Sequence, residues 1–254
     1  MMLPTTPSFR LDGRRALVTG AGRGIGLALA AALAEGGAEV VLAARSAQEI
    51  EGGAKAIRAK GGHARAVQLD VSNLQAVSDF FDAQPAFHIL VNNAGTNRPM
   101  PMHDVTPEDY DAVLSLNLKA VFFVTQHCSR RMIEAGIAGG IIHIGSQMGH
   151  VGASNRTLYC ASKWGLEGFN KAMAIELAPH NIRSNIIAPT FIETPLTKPF
   201  FENADFRAEV LGKIKLGRLG MVNDLMGAVL YLASDASALA TGTSMLIDGG
   251  WTAD

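Results

Sequence analysis

The sequence predicts a single α/β domain built on a doubly wound parallel sheet of about seven strands. Short apolar runs of β type alternate with longer helical patterns, as in RRALVTG, GIGLALAAALAEGG and AEVVLAA. Runs such as VVLAA and GGIIHI are almost continuously apolar, which is typical of strands covered by helices on both faces. In such a sheet the ligand crevice lies at the carboxyl ends of the strands.

The same periodicities place the individual elements. Strands are predicted at 14–20, 38–44, 63–70, 88–95, 139–146, 181–189 and 243–250. Helices are predicted at 24–37, 46–60, 73–83, 107–135, 157–177 and 222–233. We expect residues 1–10 to form a flexible N-terminal arm and residues 11–254 to form the domain, with a variable substrate loop at about 190–219.

The composition argues against several classes of protein. The formal net charge is −1 and the Lys and Arg residues are scattered, which is unlike a protein that binds nucleic acid or an anionic membrane. Cys128 and Cys160 are the only cysteines, so we expect neither a disulfide framework nor a metal site. The most apolar run, 25–33, is too short to span a bilayer, and the N-terminus lacks a signal-peptide pattern. We therefore expect a soluble, cytoplasmic protein.

The segment TGAGRGIG follows an apolar strand and opens an alanine-rich helix. Glycines let a backbone turn sharply and approach a pyrophosphate, and the first N–H groups of a helix attract anions. Gly20, Gly24 and Gly26 have the spacing G-x-x-x-G-x-G, with Arg23 and Ile25 between them. A tight structural turn would use the same glycines, but the strand–turn–helix context favours nucleotide binding.

The end of the second predicted strand indicates which dinucleotide binds. An acidic residue there would bind a ribose 2′-hydroxyl, whereas an arginine accommodates a 2′-phosphate. The sequence has Ala43, Ala44 and then Arg45, and Arg23 of the glycine loop could approach the same phosphate. We therefore favour NADP(H). NAD(H) is the alternative, in which both arginines are solvated surface charges.

Seven features follow one another in an order found in one enzyme family. TGAGRGIG is followed by LDV, NNAG, an Asn in a mid-chain helix, Ser146, YCASK and a closing DGG. From about Leu11 to its C-terminus the chain resembles the common type of short-chain dehydrogenase/reductase, which has a Rossmann-like fold. The resemblance implies an NAD(P)-dependent oxidoreductase that interconverts a carbonyl group and a secondary alcohol.

Tyr159 and Lys163 lie four residues apart at the start of a predicted helix, so both side chains point into the same cleft. A free tyrosine has a pKa of about 10, and a nearby ammonium group favours its phenolate form. With Lys163 and an oxidised nicotinamide close by, Tyr159 becomes a general acid/base. Two neighbours on a surface helix would show the same spacing, but the glycine loop, NNAG and Ser146 favour the catalytic interpretation.

The resemblance assigns further roles position by position. Ser146 would hydrogen-bond the substrate oxygen, and Asn117 would hold a water that links Lys163 to solvent. The remaining cofactor contacts would come from Asp70 and Val71 at the adenine, from Asn92, Ala94 and Gly95 at the ribose and nicotinamide, and from Ile192 and Thr194 at the carboxamide, with Pro189 beside them.

Substrate-facing segments are expected at 96–103, at 147–156 and beyond Pro189. Thr190 stands where the family often has glycine, so it changes the path of the loop or places a hydroxyl in the substrate site. The candidate substrate contacts are Asn97, Gln147, Met148, His150, Arg156 and Thr190. This polar set favours a small polyhydroxylated ketone, aldose or sugar acid, with His150 or Arg156 contacting hydroxyls or a carboxylate. The alternative is that these side chains form a solvated rim.

Three alternative functions differ in what they require. A 3-oxoacyl-thioester reductase is the main enzymatic alternative, because APTFIETPLT resembles such enzymes and several aromatic side chains could shield an acyl chain: Phe191, Phe200, Phe201 and Phe206. A non-catalytic nucleotide-binding protein would not need Asn117, Ser146, Tyr159 and Lys163 together. A methyltransferase would usually need an acidic group where Ala44 and Arg45 stand.

Self-association is implied by the resemblance, since such proteins are commonly homotetramers. The segments LNLKAVFFVTQ and GTSMLIDGGWTAD are apolar enough to form subunit contacts, although they equally suit an ordinary core.

Overall fold

A parallel seven-stranded sheet organises the molecule, and all its strands end at one edge. The computed structural model describes residues 2–195 and 197–253, without the side chain of Phe200. The strands are β1 Arg15–Thr19, β2 Glu39–Ala44, β3 His63–Gln68, β4 Ile89–Asn92, β5 Gly139–Ile144, β6 Ile182–Pro189 and β7 Ser244–Ile247. Their spatial order is β3-β2-β1-β4-β5-β6-β7, and every neighbouring pair is parallel. The predicted doubly wound sheet is confirmed.

Helices cover both faces of this sheet. They are α1 Gly24–Glu35, α2 Ala47–Ala59, α3 Leu74–Asp82, α4 Pro107–Leu114, α5 Val121–Glu134, α6 Thr157–Leu177, α7 Ala204–Lys213 and α8 Asn223–Ala233. One face packs against α1, α2 and α8, and the other against α3, α5 and α6. Successive residues of β1 explain the continuous apolar pattern, because Ala16 and Val18 enter the first layer and Leu17 enters the second.

Two segments differ from the sequence expectation. The single helix predicted at 107–135 is divided by a π-helical turn, Ser115–Ala120, between α4 and α5. Such turns occupy a single turn and the helix continues on both sides, so the sequence pattern reads as one long helix. The segment at 190–219 contains α7 and a 3-10 helix, Lys198–Glu202. Its apolar residues pack as a small separate cluster, including Val210, Ile214 and Leu219.

Residues 2–10 form neither helix nor strand and are exposed. None of the helices in the described part of the chain combines the length and the apolar character needed to cross a lipid bilayer.

The helix N-termini differ in how they are capped. Ser46 caps α2, Asn73 caps α3, and Thr106 forms a capping box with Asp109 at the start of α4. No described side chain caps α1 or α6. Both of these helices start at the carboxyl edge of the sheet, where free N–H groups can meet a ligand.

Candidate active site

The loop between β1 and α1 is held against the end of β4. The Asn93 amide donates to the carbonyls of Thr19 and Gly20, both at 3.0 Å. The Thr19 hydroxyl accepts the N–H groups of Asn93 and Ala94 at 3.1 and 3.2 Å. Gly20 has φ +62°, and a Cβ there would lie 2.8 Å from the Ala94 Cα. The structure thus brings Gly20 and Ala94 together, and it adds Thr19 and Asn93, whose bonds depend on tertiary contact and could not be seen in the sequence.

The rest of the glycine loop opens α1. Gly24 has φ +56°, and a Cβ there would touch Thr194 at 3.5 Å, so the start of the substrate loop covers this turn. A Cβ at Gly26 would clash with the Gly20 carbonyl oxygen. Ile25 packs against the first core layer. The glycine loop therefore leaves little space between its backbone and the neighbouring residues. The uncapped N-terminus of α1 lies directly beneath it.

The two arginines considered for a phosphate have different surroundings. Arg23 lies 3.3 Å from the Glu49 carboxylate, and both side chains are exposed, so this pair contributes little stability. Sequence reasoning missed Glu49 because it lies on α2 and not at the strand end. Arg45 is exposed and its backbone carbonyl accepts from Gln68. Within the described residues its guanidinium has no hydrogen bond, and its charge acts on Asp70.

LDV follows β3 at the same edge. Asp70 accepts from the N–H and the hydroxyl of Ser72 at 3.0 and 2.6 Å, which fixes its carboxylate. Val71 is buried in the second core layer.

Asn92 directs its side chain away from the cleft. Its amide donates to the Thr125 hydroxyl at 2.8 Å and to His143 Nδ1 at 3.2 Å. These two bonds hold the Asn92 side chain in the core, so a cofactor contact at Asn92 would come from its backbone and stays a prediction. Gly95, three residues after the end of β4, is exposed, and a Cβ there would lie 3.3 Å from Asn117 Oδ1.

Tyr159 and Lys163 share one face of α6, as predicted. Lys163 Nζ donates to the Ile144 carbonyl at 2.8 Å and lies 5.6 Å from the centre of the Tyr159 ring. Burial lowers the pKa of Lys163 to about 8, although Glu167 opposes this. Burial raises the pKa of Tyr159, against the Ser146 hydrogen bond and the Arg156 charge. The expected lowering of the Tyr159 pKa requires an oxidised nicotinamide beside Lys163, so it stays a prediction.

Ser146 stands two residues beyond β5, at the start of a 3-10 turn, Gln147–Gly149. Its hydroxyl donates to Gln147 Oε1 at 2.8 Å and accepts the Met148 N–H at 3.1 Å. Gln147 and Met148 are buried beside it. The Ser146 hydroxyl also lowers the pKa of Tyr159 through a side-chain hydrogen bond, so the two hydroxyl groups lie close together.

Asn117 lies in the π-helical turn and binds the loop after NNAG. Its Oδ1 accepts the Thr96 N–H at 2.8 Å, and its Nδ2 donates to the Thr96 carbonyl and to the Ser162 hydroxyl at 2.9 and 3.1 Å. Ser162 in turn donates to the Tyr159 carbonyl at 2.8 Å. The side-chain amide is thus fully used in joining this loop to α6.

The predicted substrate residues do not form one group. Asn97 is exposed at the rim. His150 binds Ser244 and Glu167, at 3.0 and 3.1 Å from its Nε2, so its ring is tied to β7 and α6. Its Nδ1 has no hydrogen bond among the described residues, so a contact between His150 and the substrate stays a prediction. Arg156 is buried at the start of α6.

Thr190 is the buried residue after β6. Ile186 and Ala188 pack on the face that carries α5 and α6, and alternation along the strand puts Thr190 on that face too. Its backbone N–H donates to the Ile247 carbonyl at 3.2 Å, but its Oγ1 is enclosed and has no partner among the described atoms. The Thr190 backbone thus still pairs with β7, although β6 ends at Pro189 and the family often has glycine at this position.

The following turn is held by Thr197. Its hydroxyl donates to the Ile192 carbonyl at 2.6 Å and accepts the Thr194 N–H at 2.9 Å. Ile192 also forms a β-bridge with Gly220. These bonds fix Ile192 and Thr194 over the glycine loop.

A doubly wound sheet with a glycine loop at its carboxyl edge defines a dinucleotide-binding domain of the Rossmann class. A family model described as enoyl-(acyl carrier protein) reductase matches residues 20–252. D-erythrulose reductase of Gallus gallus is 36% identical over 245 residues, which are 96% of this chain and 98% of that protein. The 3-oxoacyl-[acyl-carrier-protein] reductase FabG of Chlamydia pneumoniae is 35% identical over 246 residues, 95% of this chain and 98% of that protein.

The solved structures that resemble this one include a gluconate 5-dehydrogenase from Burkholderia cenocepacia J2315 in complex with NADP and tartrate. It is 38% identical, with a TM-score of 0.91 over 97% of this chain and 98% of that chain. The chain belongs to the short-chain dehydrogenase/reductase family and is an oxidoreductase. Membership excludes the methyltransferase and the non-catalytic nucleotide-binding protein.

Proposed function

We propose that this chain interconverts a ketone and a secondary alcohol by hydride transfer with NADP(H), on a small polyhydroxylated substrate such as a sugar, a polyol or a sugar acid. The observation that supports it best is the grouping of Ser146, Tyr159 and Lys163 at the carboxyl edge of the sheet. The names of two relatives, D-erythrulose reductase and gluconate 5-dehydrogenase, favour this substrate class.

The residues around the glycine loop fit a dinucleotide with a 2′-phosphate. The uncapped start of α1 and the close approach at Gly20 suit a pyrophosphate. We assign the 2′-phosphate to Arg45, whose guanidinium is free to bind it, while Arg23 is shared with Glu49. The relative bound to NADP supports this choice over NAD(H). When bound, the cofactor supplies or accepts the hydride.

Further cofactor contacts are assigned by position. Asp70 and Val71 would meet the adenine, and Ala94, Gly95 and the Asn92 backbone would line the ribose and nicotinamide. Pro189, Ile192 and Thr194 would hold the carboxamide, since Thr194 already lies over Gly24.

In the reduction direction, Tyr159 donates its phenolic proton to the substrate oxygen, because its raised pKa keeps the phenol protonated at neutral pH. Ser146 donates a second hydrogen bond to that oxygen once its hydroxyl leaves Gln147. Lys163, with a pKa of about 8, remains mostly charged at neutral pH and can favour the phenolate that forms. A water relay at Asn117 would use its backbone carbonyl, since its amide is occupied.

Absorbance of the reduced nicotinamide tests this function directly. The substrates are erythrulose, xylulose, 5-ketogluconate and an acetoacetyl thioester, each with NADPH and with NADH. We expect turnover of the sugar compounds with a preference for NADPH. Activity confined to the thioester would refute the substrate class. Arg45→Ala should weaken the preference for NADPH, and an unchanged preference would refute the assignment of the 2′-phosphate.

Reduction of a 3-oxoacyl thioester is the second candidate, favoured by the Chlamydia pneumoniae relative. The aromatic side chains expected to shield an acyl chain have other partners. Phe191 packs against Phe201, Phe206 and Trp251, each with ring centres 5.8 Å apart. The Phe200 side chain lies outside the described residues. These rings form the core of the substrate loop, which argues for the smaller substrate.

A homotetramer is the assembly we propose. Large apolar side chains are exposed on the outer surface of α4 to α6 and on β7: Tyr110, Phe122, Trp164, Ile175 and Leu246. Large apolar side chains exposed in such numbers are compatible with subunit interfaces. Light scattering after size exclusion should give about four times the chain mass of 26.8 kDa.

We also propose that the protein works in the cytoplasm, where its two free cysteines would stay reduced. Fractionation of cells that express a tagged chain would check this.

A further inference from the structure

Arg156 is a buried arginine that has no counter-ion among the described residues. Only 8% of its surface is exposed. Within the described part of the chain its side chain forms one hydrogen bond, from Nη1 to the Asn155 carbonyl, which is 3.4 Å long. Among the described residues no Asp or Glu forms an ion pair with it. Since a guanidinium stays charged in proteins, an enclosed one without a partner lowers stability unless something else compensates it.

The position of Arg156 is fixed by the backbone around it. Its carbonyl accepts the Cys160 N–H at 2.7 Å, the first turn of α6. The Asn155 carbonyl accepts the Met100 N–H at 3.1 Å, which joins the loop after NNAG to this helix. Asn155 has φ 58°, a left-handed conformation that few residues other than glycine adopt. Asparagine adopts this conformation more readily than most residues that carry a side chain, and at position 155 it sets the direction of the chain at Arg156.

The Arg156 guanidinium lies near Tyr159 and keeps some contact with solvent. Arg156 and Tyr159 are three residues apart, and the Arg156 charge opposes the rise in the Tyr159 pKa, so the two side chains are neighbours. In the described part of the chain, the fully enclosed side-chain nitrogens and oxygens without a partner are Arg131 Nε and Thr190 Oγ1. The unpaired nitrogens of Arg156 are absent from that pair, so they keep some solvent contact.

Arg98 is a second arginine of the same region, and it differs from Arg156 in having an acidic partner. Arg98, in the loop after NNAG, lies 2.6 Å from the Asp109 carboxylate. Asp109 is also bound by the capping box of α4, so it is not available to Arg156. Within the described ranges, the exposed Arg98 therefore has an acidic partner and the buried Arg156 has none.

We propose that Arg156 binds a carboxylate of the substrate, so that the natural substrate is a sugar acid and not a neutral sugar or polyol. This inference rests on the proposed function. A guanidinium can hold a carboxylate with two parallel hydrogen bonds, which fixes orientation as well as charge. Because Arg156 neighbours Tyr159, the carboxylate and the reacting carbonyl must belong to one small molecule.

The test compares two substrates of similar size, 5-ketogluconate and fructose, in the parent protein and in Arg156→Gln. We expect the parent to prefer the acid. Arg156→Gln should lower kcat/KM for 5-ketogluconate roughly 10- to 100-fold, mainly by raising KM. It should change kcat/KM for fructose less than about threefold. For Arg156→Lys, kcat/KM for 5-ketogluconate should lie between the values for the parent and Arg156→Gln. Lysine keeps the charge but lacks the planar guanidinium group that forms two parallel hydrogen bonds. Arg58→Gln, an exposed arginine paired with Glu51, is the control and should change neither substrate.

A binding measurement separates this inference from the proposed function. With NADP present, gluconate should raise the Tm of the parent protein and not that of Arg156→Gln, whereas xylitol should shift both equally. Equal losses on both substrates, or a Tm shift by gluconate that survives the substitution, would overturn the carboxylate assignment while sugar turnover still stood. Failure of the parent to reduce any sugar compound, with turnover of the thioester, would overturn the proposed function itself.

Discussion

The two sides of the cleft differ in how completely the protein satisfies its own polar groups. On the glycine-loop side, Thr19 and Asn93 bond each other and the loop backbone. On the substrate side, the Thr190 hydroxyl has no partner among the described atoms, and Arg156 has no counter-ion there. An unpaired buried polar group lowers stability, so its retention indicates a ligand that completes it. The glycine-loop side is therefore preformed for the cofactor. The substrate side keeps polar groups that a particular substrate can bind.

Tyr159→Phe should have the largest effect on the substrate side. Loss of the proton donor is expected to lower kcat about 10²- to 10⁴-fold, because general acid catalysis supplies an acceleration of that order. NADPH affinity, measured by fluorescence, should stay within about threefold, since the preformed side is untouched. Retained kcat would contradict the role of Tyr159, and lost NADPH affinity would mean that the two sides are not separate.

Gly20→Ala should damage the preformed side instead. The added Cβ would lie 2.8 Å from the Ala94 Cα at a φ of +62°. A free energy of unfolding lower by about 2–4 kcal/mol is expected, with NADPH binding at least tenfold weaker. The matched control is Gly52→Ala in α2, where nothing lies within 4 Å of the added Cβ. Urea denaturation should show the control to be more stable than the parent by about 0.5–1 kcal/mol. Equal stability of the two variants would contradict the close approach.

Lys163 makes the stability of the substrate side depend on pH. Its pKa falls from 10.5 in a free chain to about 8 in the folded protein, because burial disfavours the ammonium. Between these values the unfolded chain holds a proton that the folded protein has lost, so the free energy of unfolding rises with pH in this window. Below about pH 8 the buried charge reduces stability by roughly 3 kcal/mol.

Lys163→Met removes this ionisation. The variant should be more stable than the parent at neutral pH, and the difference should shrink as the pH is raised toward 10. Urea denaturation of both proteins at several pH values below 10 checks this, where Tyr159, with its raised pKa, does not yet titrate. A difference that does not vary with pH would contradict the lowered pKa.

The sequence predicted the sheet and the edge where its motifs meet, because apolar period and glycine spacing depend on local chemistry. Side-chain direction was less predictable. Asn92 and Asn93 are identical neighbours in NNAG, yet one bonds Thr125 in the core and the other bonds Thr19 in the cleft. His150 found partners on β7 and α6, which only the folded chain brings near. A pattern of residues predicts which groups share an edge, but competition for hydrogen bonds decides which of them remain free.

Thr19 and Thr190 allow the most direct comparison of the two sides of the cleft, although the expected effects are the smallest. The Thr19 hydroxyl accepts two N–H groups and donates to the Val91 carbonyl at 3.4 Å, so Thr19→Val leaves buried groups unpaired. A loss of about 1–3 kcal/mol is expected. Thr190→Val removes a hydroxyl that has no partner, so the free energy of unfolding should stay unchanged or rise by up to about 1 kcal/mol. If this hydroxyl binds substrate, KM should rise several-fold in Thr190→Val and recover in Thr190→Ser. Equal destabilisation by the two valine substitutions would show that both sides are equally complete without a ligand.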